Sequence, residues 1–303
     1  MLVLFGILIV LAAVLGGFVL EGGNILVLLQ PAELLIILGA ALGIVLAANP
    51  RTSVINILRG VFSILRRTPY TPAFYRSALM MLYELFSIGR RQGMAALEAH
   101  IEDPGSSSVF QKYPEVTQDE GALSFVCDSL RMLTTGVAHS SELAQLMDQD
   151  MEVQRRERHA PVSSLGMLAD SLPGLGIVAA VLGVVVTMQA LGSAPEEIGQ
   201  RVAAALVGTF LGILLCYGVV GPLASHLETR NEARAYFLQC LFAGIHAFAR
   251  GSSPLLAAEF ARRAIPLEWR PSFEEMETTF RREVKLPPAP NQVFQNVAQE
   301  HAG

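Results

Sequence analysis

Apolar and polar positions fall in long blocks along this chain rather than mixing evenly. Met1–Leu20 is an unbroken apolar run, and a second lies near Leu28–Ala48. After a long mixed stretch come two more, Leu172–Leu191 and Val202–Ser225, joined by the polar loop Gly192–Arg201. Neither of these later runs contains a charged residue. Each holds about 20 residues or slightly more, which at about 1.5 Å per residue crosses a hydrocarbon core of about 30 Å. A surface helix of a soluble protein would show a polar face over that length, and these show none. The pattern predicts a transmembrane hairpin at the later pair and four spans in all. Met1–Leu20 lacks the basic start and small-residue cleavage site of a signal peptide, so it is expected to be retained as the first span.

Within the later pair, Gly176, Ala180, Gly183 and Thr187 share one helix face, as do Ala205, Thr209 and Gly212. Gly208 and Gly212 form a GxxxG pair. Small faces let backbones approach in lipid, where no hydrophobic effect drives helices together. Packing is the plain reading. The alternative is that Thr187 and Thr209 offer hydroxyls to a wet path; spacing favours packing, because threonine hydroxyls also bond their own helix. Pro173 enters the first run, where it reads as a first-turn proline. Pro222 leaves the second, inside a pattern that continues as helix to about Arg250, so it predicts a bend that is either static or a hinge. Pro31 and Glu33 stand at the mouth of the second span. Glu33 is the only charge near that span and reads as exposed at the interface, a buried role being the alternative.

Lys and Arg close to the spans set the orientation. Arg51, Arg59, Arg66 and Arg67 follow the second span, and Arg230 and Arg234 follow the fourth, whereas the opposite loops carry Glu21, Glu33, Glu196, Glu197 and only Arg201. Both termini are therefore expected in the cytoplasm. The division is residues 1–48 for two spans, 49–167 for a cytoplasmic helical domain, 168–226 for the hairpin, and 227–303 for C-terminal helices and a tail. Val54–Leu65 has a basic amphipathic pattern suited to a membrane surface. Helices are predicted at Pro69–Arg91, with Tyr75, Leu79, Leu82, Leu85 and Phe86 on one face, and at Met94–Ile101 after Gly93. Others are predicted at Gly121–Leu133 and from a cap at Ser140 or Ser141 into Glu152–Arg158, with Pro161 as an interruption. Further helices are expected at Glu232–Arg250 and Leu255–Ala264, and a poorly ordered tail beyond Lys285. The fold class is all-α.

Composition agrees with this division: 52% of residues are hydrophobic and 16% charged, more apolar than a soluble chain of this size. A net charge of −5 gives no basic excess for nucleic acid. Cys127, Cys216 and Cys240 are odd in number and scattered, unlike a disulfide framework, and the histidines lack metal-ligand spacing. No P-loop, dinucleotide fingerprint, HExxH or nucleophile elbow occurs, so no enzyme activity and no cofactor is expected. Nor do three of the spans hold an ionisable group at depth, which ion movement through lipid usually needs. If the chain handles ions, the binding carboxylate belongs to a partner and the later spans are walls of the path. Arg90, Arg91 and Glu98 flank the Gly93 turn; such charges are usually just solvated, but at a helix corner they can steer a partner.

These residues resemble the MotA family of flagellar motor stator subunits, in the MotA/TolQ/ExbB proton channel superfamily, along nearly the whole chain. The resemblance rests on Met1-Leu-Val-Leu-Phe-Gly, Gly22-Gly23, Gln30-Pro-Ala-Glu33, Arg66-Arg67, Tyr70-Thr71, Gly93-Met94 and Leu97-Glu98. More specific are Asp170-Ser-Leu-Pro-Gly-Leu-Gly-Ile-Val-Ala-Ala180 with Gly183-Val-Val185, Val207-Gly-Thr-Phe-Leu-Gly-Ile-Leu-Leu215, Tyr217-Gly218 and Pro222-Leu-Ala224, with Arg270-Pro-Ser-Phe273 in the tail. It implies a multi-pass protein of the bacterial inner membrane, forming a ring (a pentamer) around two spans of a MotB-like partner that brings the proton-binding aspartate. Ion flow would turn or reshape the ring against the rotor protein FliG. The resemblance puts Arg90 and Glu98 at the rotor contact, Pro173 and Pro222 at the coupling prolines, and Ala180 and Thr209 near the ion path. Sodium-type relatives tend to carry a hydroxyl at the Ala180 position, so protons are expected. Arg91, beside Arg90, leaves open which arginine faces the rotor. A TolQ/ExbB-type energiser is the alternative, disfavoured by the first span and by the large loop after the second. A transporter would need polar groups or broken helices at mid-membrane, and a plain scaffold is separated only by partner-dependent ion flux.

Overall fold

The computed structural model describes residues 2–64, 68–137, 139–189 and 194–284, with only the backbone described over 281–284. Arg66 and Arg67, the Gly192 end of the polar loop and the tail beyond Lys285 lie outside these residues. Every regular element among them is a helix: α1 Leu2–Leu20, α2 Ile25–Leu28, α3 Pro31–Ala48, α4 Arg51–Ile64, α5 Pro72–Arg91, α6 Met94–Glu102, α7 Pro114–Thr117, α8 Glu120–Thr134, α9 Ser140–Met188, α10 Pro195–Leu215, α11 Gly221–Ala249, α12 Pro254–Ala264 and α13 Phe273–Val284. Four stretches are long and apolar enough to span a membrane: α1, α2 with α3, the later part of α9, and α10 running into α11. In lipid every backbone polar group must be satisfied internally, which is why these runs form helices.

Several expectations change in detail. α9 is one helix of 49 residues that passes through both Pro161 and Pro173, so Pro161 interrupts nothing and Pro173 is not in a first turn. Side chains meet the carbonyls near each ring. Asn231 Nδ2 donates to Arg158 O at 2.7 Å, and Ser171 Oγ donates to Met167 O at 2.7 Å. The α9 cap falls at His139 rather than Ser140 or Ser141: Leu143 N–H reaches His139 O at 2.9 Å, and Glu142 accepts the His139 N–H at 2.9 Å. That is half of a capping box. α7 and α13 were not foreseen.

The chain divides into two compact units. One comprises residues 1–68 and 153–232. Its buried clusters are Ile37, Ala41, Ala169, Leu172, Ala179 and Cys216, and separately Ile57, Ile64, Val162, Leu165, Ala224 and Leu227. α4 thus buries one side against α9 and α11, and Arg230 reaches Ser63 O at 2.6 Å. Ser164 Oγ donates to Asn49 Oδ1 at 2.6 Å and fixes the end of α3 on α9.

The other unit comprises residues 69–152 and 233–303 and has one core. α5 is its axis. The sequence suggested one apolar face, but every residue from Leu79 to Ser87 is buried, because α6, α7, α12 and α13 surround the helix. Tyr83 stacks on Phe280 at 4.3 Å and Phe86 on Phe248 at 4.6 Å. Buried Glu84 is satisfied by Lys112 Nζ and Tyr113 Oη, each at 2.8 Å. Cys127, Cys216 and Cys240 are free and buried, and burial pushes the Cys127 thiol up to about 11.

Glu259 on α12 accepts from Arg262 at 2.7 Å and from Arg263 at 2.8 Å. The Arg262 hydrogen bond, with help from Arg263, holds its carboxyl below the ordinary 4.5. A depressed carboxylate adds stability that is present above its ordinary value and lost as pH falls through the folded one. Glu259→Gln is therefore expected to lower stability at neutral pH and to reduce the loss on acidification. Thermal unfolding of the whole chain from neutral pH to below about 4 checks this; parallel curves for parent and variant would contradict it.

Candidate functional site

The site is built where α9 and α10 meet. Their contact is made by glycine and alanine, so backbone lies on backbone. A Cβ added at Gly176 would stand 2.7 Å from Gly208 O and 3.2 Å from Thr209 Cα. One added at Gly212 would stand 2.5 Å from Leu172 O and 2.9 Å from Gly176 Cα. One at Gly208 would stand 3.2 Å from Ala180 N. Ala180 and Thr209, the expected path-lining pair, therefore sit at one level of one helix pair, and both are part-exposed. Thr187 lies further along the same face but is buried, and its Oγ1 donates to Gly183 O at 2.8 Å. The Thr187 hydroxyl proton is thus used by its own helix.

The two prolines sit in different surroundings. Pro173 follows Leu172, whose carbonyl lies against Gly212, so the turn that lacks a proline donor is clamped by the neighbouring helix. Pro222 follows a π-helical turn, Cys216–Val220, where Gly221 N–H bonds Cys216 O. The wider turn gives the proline ring room that an α-turn would not, and it lets the helix continue into α11.

Glu33 departs most from expectation. It is not exposed at the interface: only 6% of its surface is accessible. Glu33, Ile37 and Ala41 recur every four residues and form the buried face of α3. The carboxylate points into the α9/α10 contact. A Cβ at Gly183 would stand 3.1 Å from its Oε1, and one at Gly208 would stand 2.5 Å from its Oε2. The register with Ile37 and Ala41 was the signal in the sequence; the glycines that make room for the side chain are 150 or more positions away.

In the other unit, α5 ends in Arg90 and Arg91, Gly93 takes φ +92°, and α6 begins at Met94. A residue with a side chain rarely adopts that backbone, so glycine makes the corner. Beneath it Gly89 has no spare room: a Cβ there would meet Leu97 and Phe248, both at 3.2 Å. Arg90, Arg91 and Glu98 are all exposed on this buttressed corner. Arg91 lies near enough to Tyr83 for its charge to offset part of the rise that burial gives the phenol. At the opposite end of α5, beside Tyr70, Arg234 is buried and binds Asp119 through both ends, Nε to Oδ2 at 2.7 Å and Nη2 to Oδ1 at 2.8 Å. Among the described residues no three His, Cys, Asp or Glu side chains gather as metal ligands.

Comparison with known proteins agrees with this architecture. Residues 4–93 match the family model for the motility protein A N-terminal region, and residues 118–239 match that of the MotA/TolQ/ExbB proton channel family. Motility protein A of Escherichia coli is 41% identical over 91% of this chain and 94% of its own length. The fold is similar to the Campylobacter jejuni MotAB structure, with a TM-score of 0.74 at 18% identity, covering 89% of this chain and 98% of that one. It is also similar to the flagellar MotAB stator complex from Bacillus subtilis, with a TM-score of 0.70 at 23% identity, covering 91% and 98%. At those identities the structures bear on fold alone, whereas the Escherichia coli relative, alike from end to end, bears on family. The chain belongs to the motility protein A family.

Proposed function

We propose that this chain is the membrane subunit of a flagellar stator that, with a MotB-like partner, converts proton flow into torque on the rotor. The observation that carries the reading is the α9/α10 wall. Between Asp170 and Glu196, and again from Val202 to Ser225, it has no charged residue, yet Ala180 and Thr209 leave part of its surface open. Neither α9 nor α10 supplies a carboxylate over these stretches, so on this reading the main ion-carrying carboxylate is the partner's. On this reading the partner's aspartate changes its contacts with Ala180 and Thr209 on protonation, and that difference shifts the conformational equilibrium. Pro173 and Pro222 pass the change on. Protons are favoured over sodium because the Ala180 methyl offers no oxygen to a stripped ion. The assembly is a homopentamer around a partner dimer in the bacterial inner membrane, with both termini in the cytoplasm. No enzymatic step, cofactor or nucleic acid is involved.

The test is to express the chain with its MotB-like partner in a stator-deficient swimming bacterium and vary proton and sodium gradients separately. Swimming that tracks the proton gradient alone supports the reading. Dependence on sodium overturns the use of Ala180. Assembly without rotation favours a TolQ/ExbB-type energiser. Arg90→Glu and Glu98→Lys run alongside, because on this reading the exposed corner charges are the ones that meet FliG. Each reversal is expected to cost about 1 kcal/mol of docking, roughly a fivefold loss of engagement. Unchanged torque in the double variant would remove the docking assignment.

A further inference from the structure

Among the described residues two acids are buried, Glu33 and Glu84. Glu84 has Lys112 and Tyr113 as partners. Glu33 Oε2 has no hydrogen-bond partner at all. An ionised carboxylate buried without a partner is strongly disfavoured, so the group is stable there only when it holds a cation. The surroundings narrow down which cation. Gly183, Ala205 and Gly208 form the cradle, and a Cβ at Gly183 would already stand 2.7 Å from that of Ala205. A stripped metal ion needs a shell of oxygens, and Gly183, Ala205 and Gly208 bring no side-chain oxygen to one; a proton needs only the carboxylate itself. No rival charge is close in sequence on the neighbouring elements. α2 has none, α3 has no other, and α9 has none after Asp170. α10 carries Glu196, Glu197 and Arg201 near its start, with Glu197 and Arg201 paired at 2.7 Å.

We propose that Glu33 is a proton-binding site of this chain, set in the α9/α10 wall at the level of Ala180 and separate from the carboxylate of the partner. A proton arriving from water forms an O–H bond on Oε2 and leaves again to water in the path, so no electrons change hands and no further reactant is needed. The site is a relay beside the main carboxylate, and it sets how fast protons reach the path rather than how hard the motor pushes. This rests on the reading that the complex conducts protons.

The experiment uses the intact complex in single motors of a stator-deficient host, comparing the parent with Glu33→Gln and Glu33→Asp. Speed at low load is measured over a range of outside pH, with torque per stator near stall and the amount of complex in the membrane. Glu33→Gln keeps the volume and a polar end but takes no proton. It is expected to lower low-load speed at least threefold and to flatten its dependence on outside pH, while stall torque per stator and complex level stay at the parent's values. Glu33→Asp is expected to bring the pH dependence back. Parental speed and pH profile in Glu33→Gln would overturn the proposal, as would a pH dependence that aspartate does not restore. Loss of assembly or of stall torque in Glu33→Gln would also overturn it, by making the carboxyl a packing element. If the parent itself fails to rotate with its partner, the proton-stator reading falls first, and that arm is scored separately.

Discussion

Gly212→Ala is expected to abolish swimming and to strip stability from the membrane unit. The added methyl would stand 2.5 Å from Leu172 O, 2.9 Å from Gly176 Cα and 3.1 Å from Gly176 N. All three obstacles are backbone, so no rotamer change relieves them. The helices must separate, and the other close approaches along the pair, at Gly176, Gly183 and Gly208, loosen together. Overpacking of this kind costs about 1–3 kcal/mol and more where the backbone cannot yield. In lipid the loss is not offset by a hydrophobic effect between the helices. The effect also reaches the coupling region, since the clash falls on the carbonyl that precedes Pro173. Gly174→Ala is the control: it lies on the same helix two residues from Gly176, with nothing within 4 Å of its added Cβ. Melting of the purified complex and swarm diameter measure both. Equal behaviour of the two variants would sink the account of the wall as backbone contact.

The second large effect is expected at Arg234. Arg234 is 4% exposed and holds Asp119 through two hydrogen bonds. Asp119 also accepts the Ala122 N–H at 3.2 Å, capping α8. Arg234→Met removes the guanidinium from a carboxylate that is still 20% exposed and keeps the Tyr70 hydroxyl at 3.4 Å, so the expected cost is at or below the lower end of the about 3–5 kcal/mol for breaking a fully buried pair. Replacing both partners removes the stranded charge instead. Asp119→Ser combined with Arg234→Met keeps a cap on α8 and is expected to recover more than half of the loss. Thermal unfolding of the whole chain, scored for the two singles and the double, gives the coupling directly. If the double costs the sum of the singles, the two groups do not act as a pair.

How much of this was legible in the sequence depends on the range of the forces involved. The four spans were legible because lipid imposes one local rule on about 20 consecutive residues. The Gly93 corner was legible because one residue takes the unusual backbone. What was missed depends on distant partners. Glu33 looked exposed because its own neighbours are a helix start and a loop; its burial comes from Gly183 and Gly208 on other helices. α5 looked one-sided because its sequence cannot show that α12 and α13, more than 150 residues later, cover its remaining surface. Asp119 and Arg234 are 115 positions apart, and neither alone suggests a buried pair. The prolines misled in the opposite direction: Pro161 was read as an interruption and Pro173 as a first-turn proline, but a long helix held by side chains and a neighbouring helix absorbs both.

The wide turn at Cys216–Val220 works as a slip of phase. One extra residue in a turn rotates everything after it by about 100° relative to an uninterrupted helix. Before the slip, Ala205, Gly208 and Gly212 point at α9; after it, Ala224 and Leu227 point into the cluster with Ile57 and Ile64. A single-residue deletion within 216–220 would leave an unbroken helix of ordinary pitch and still be damaging, because Ala224 and Leu227 would turn off that cluster. The rod thus meets α9 with one face before the turn and the joint α4/α9 cluster with another after it, and the reading frame between the two is stored in a single irregular turn.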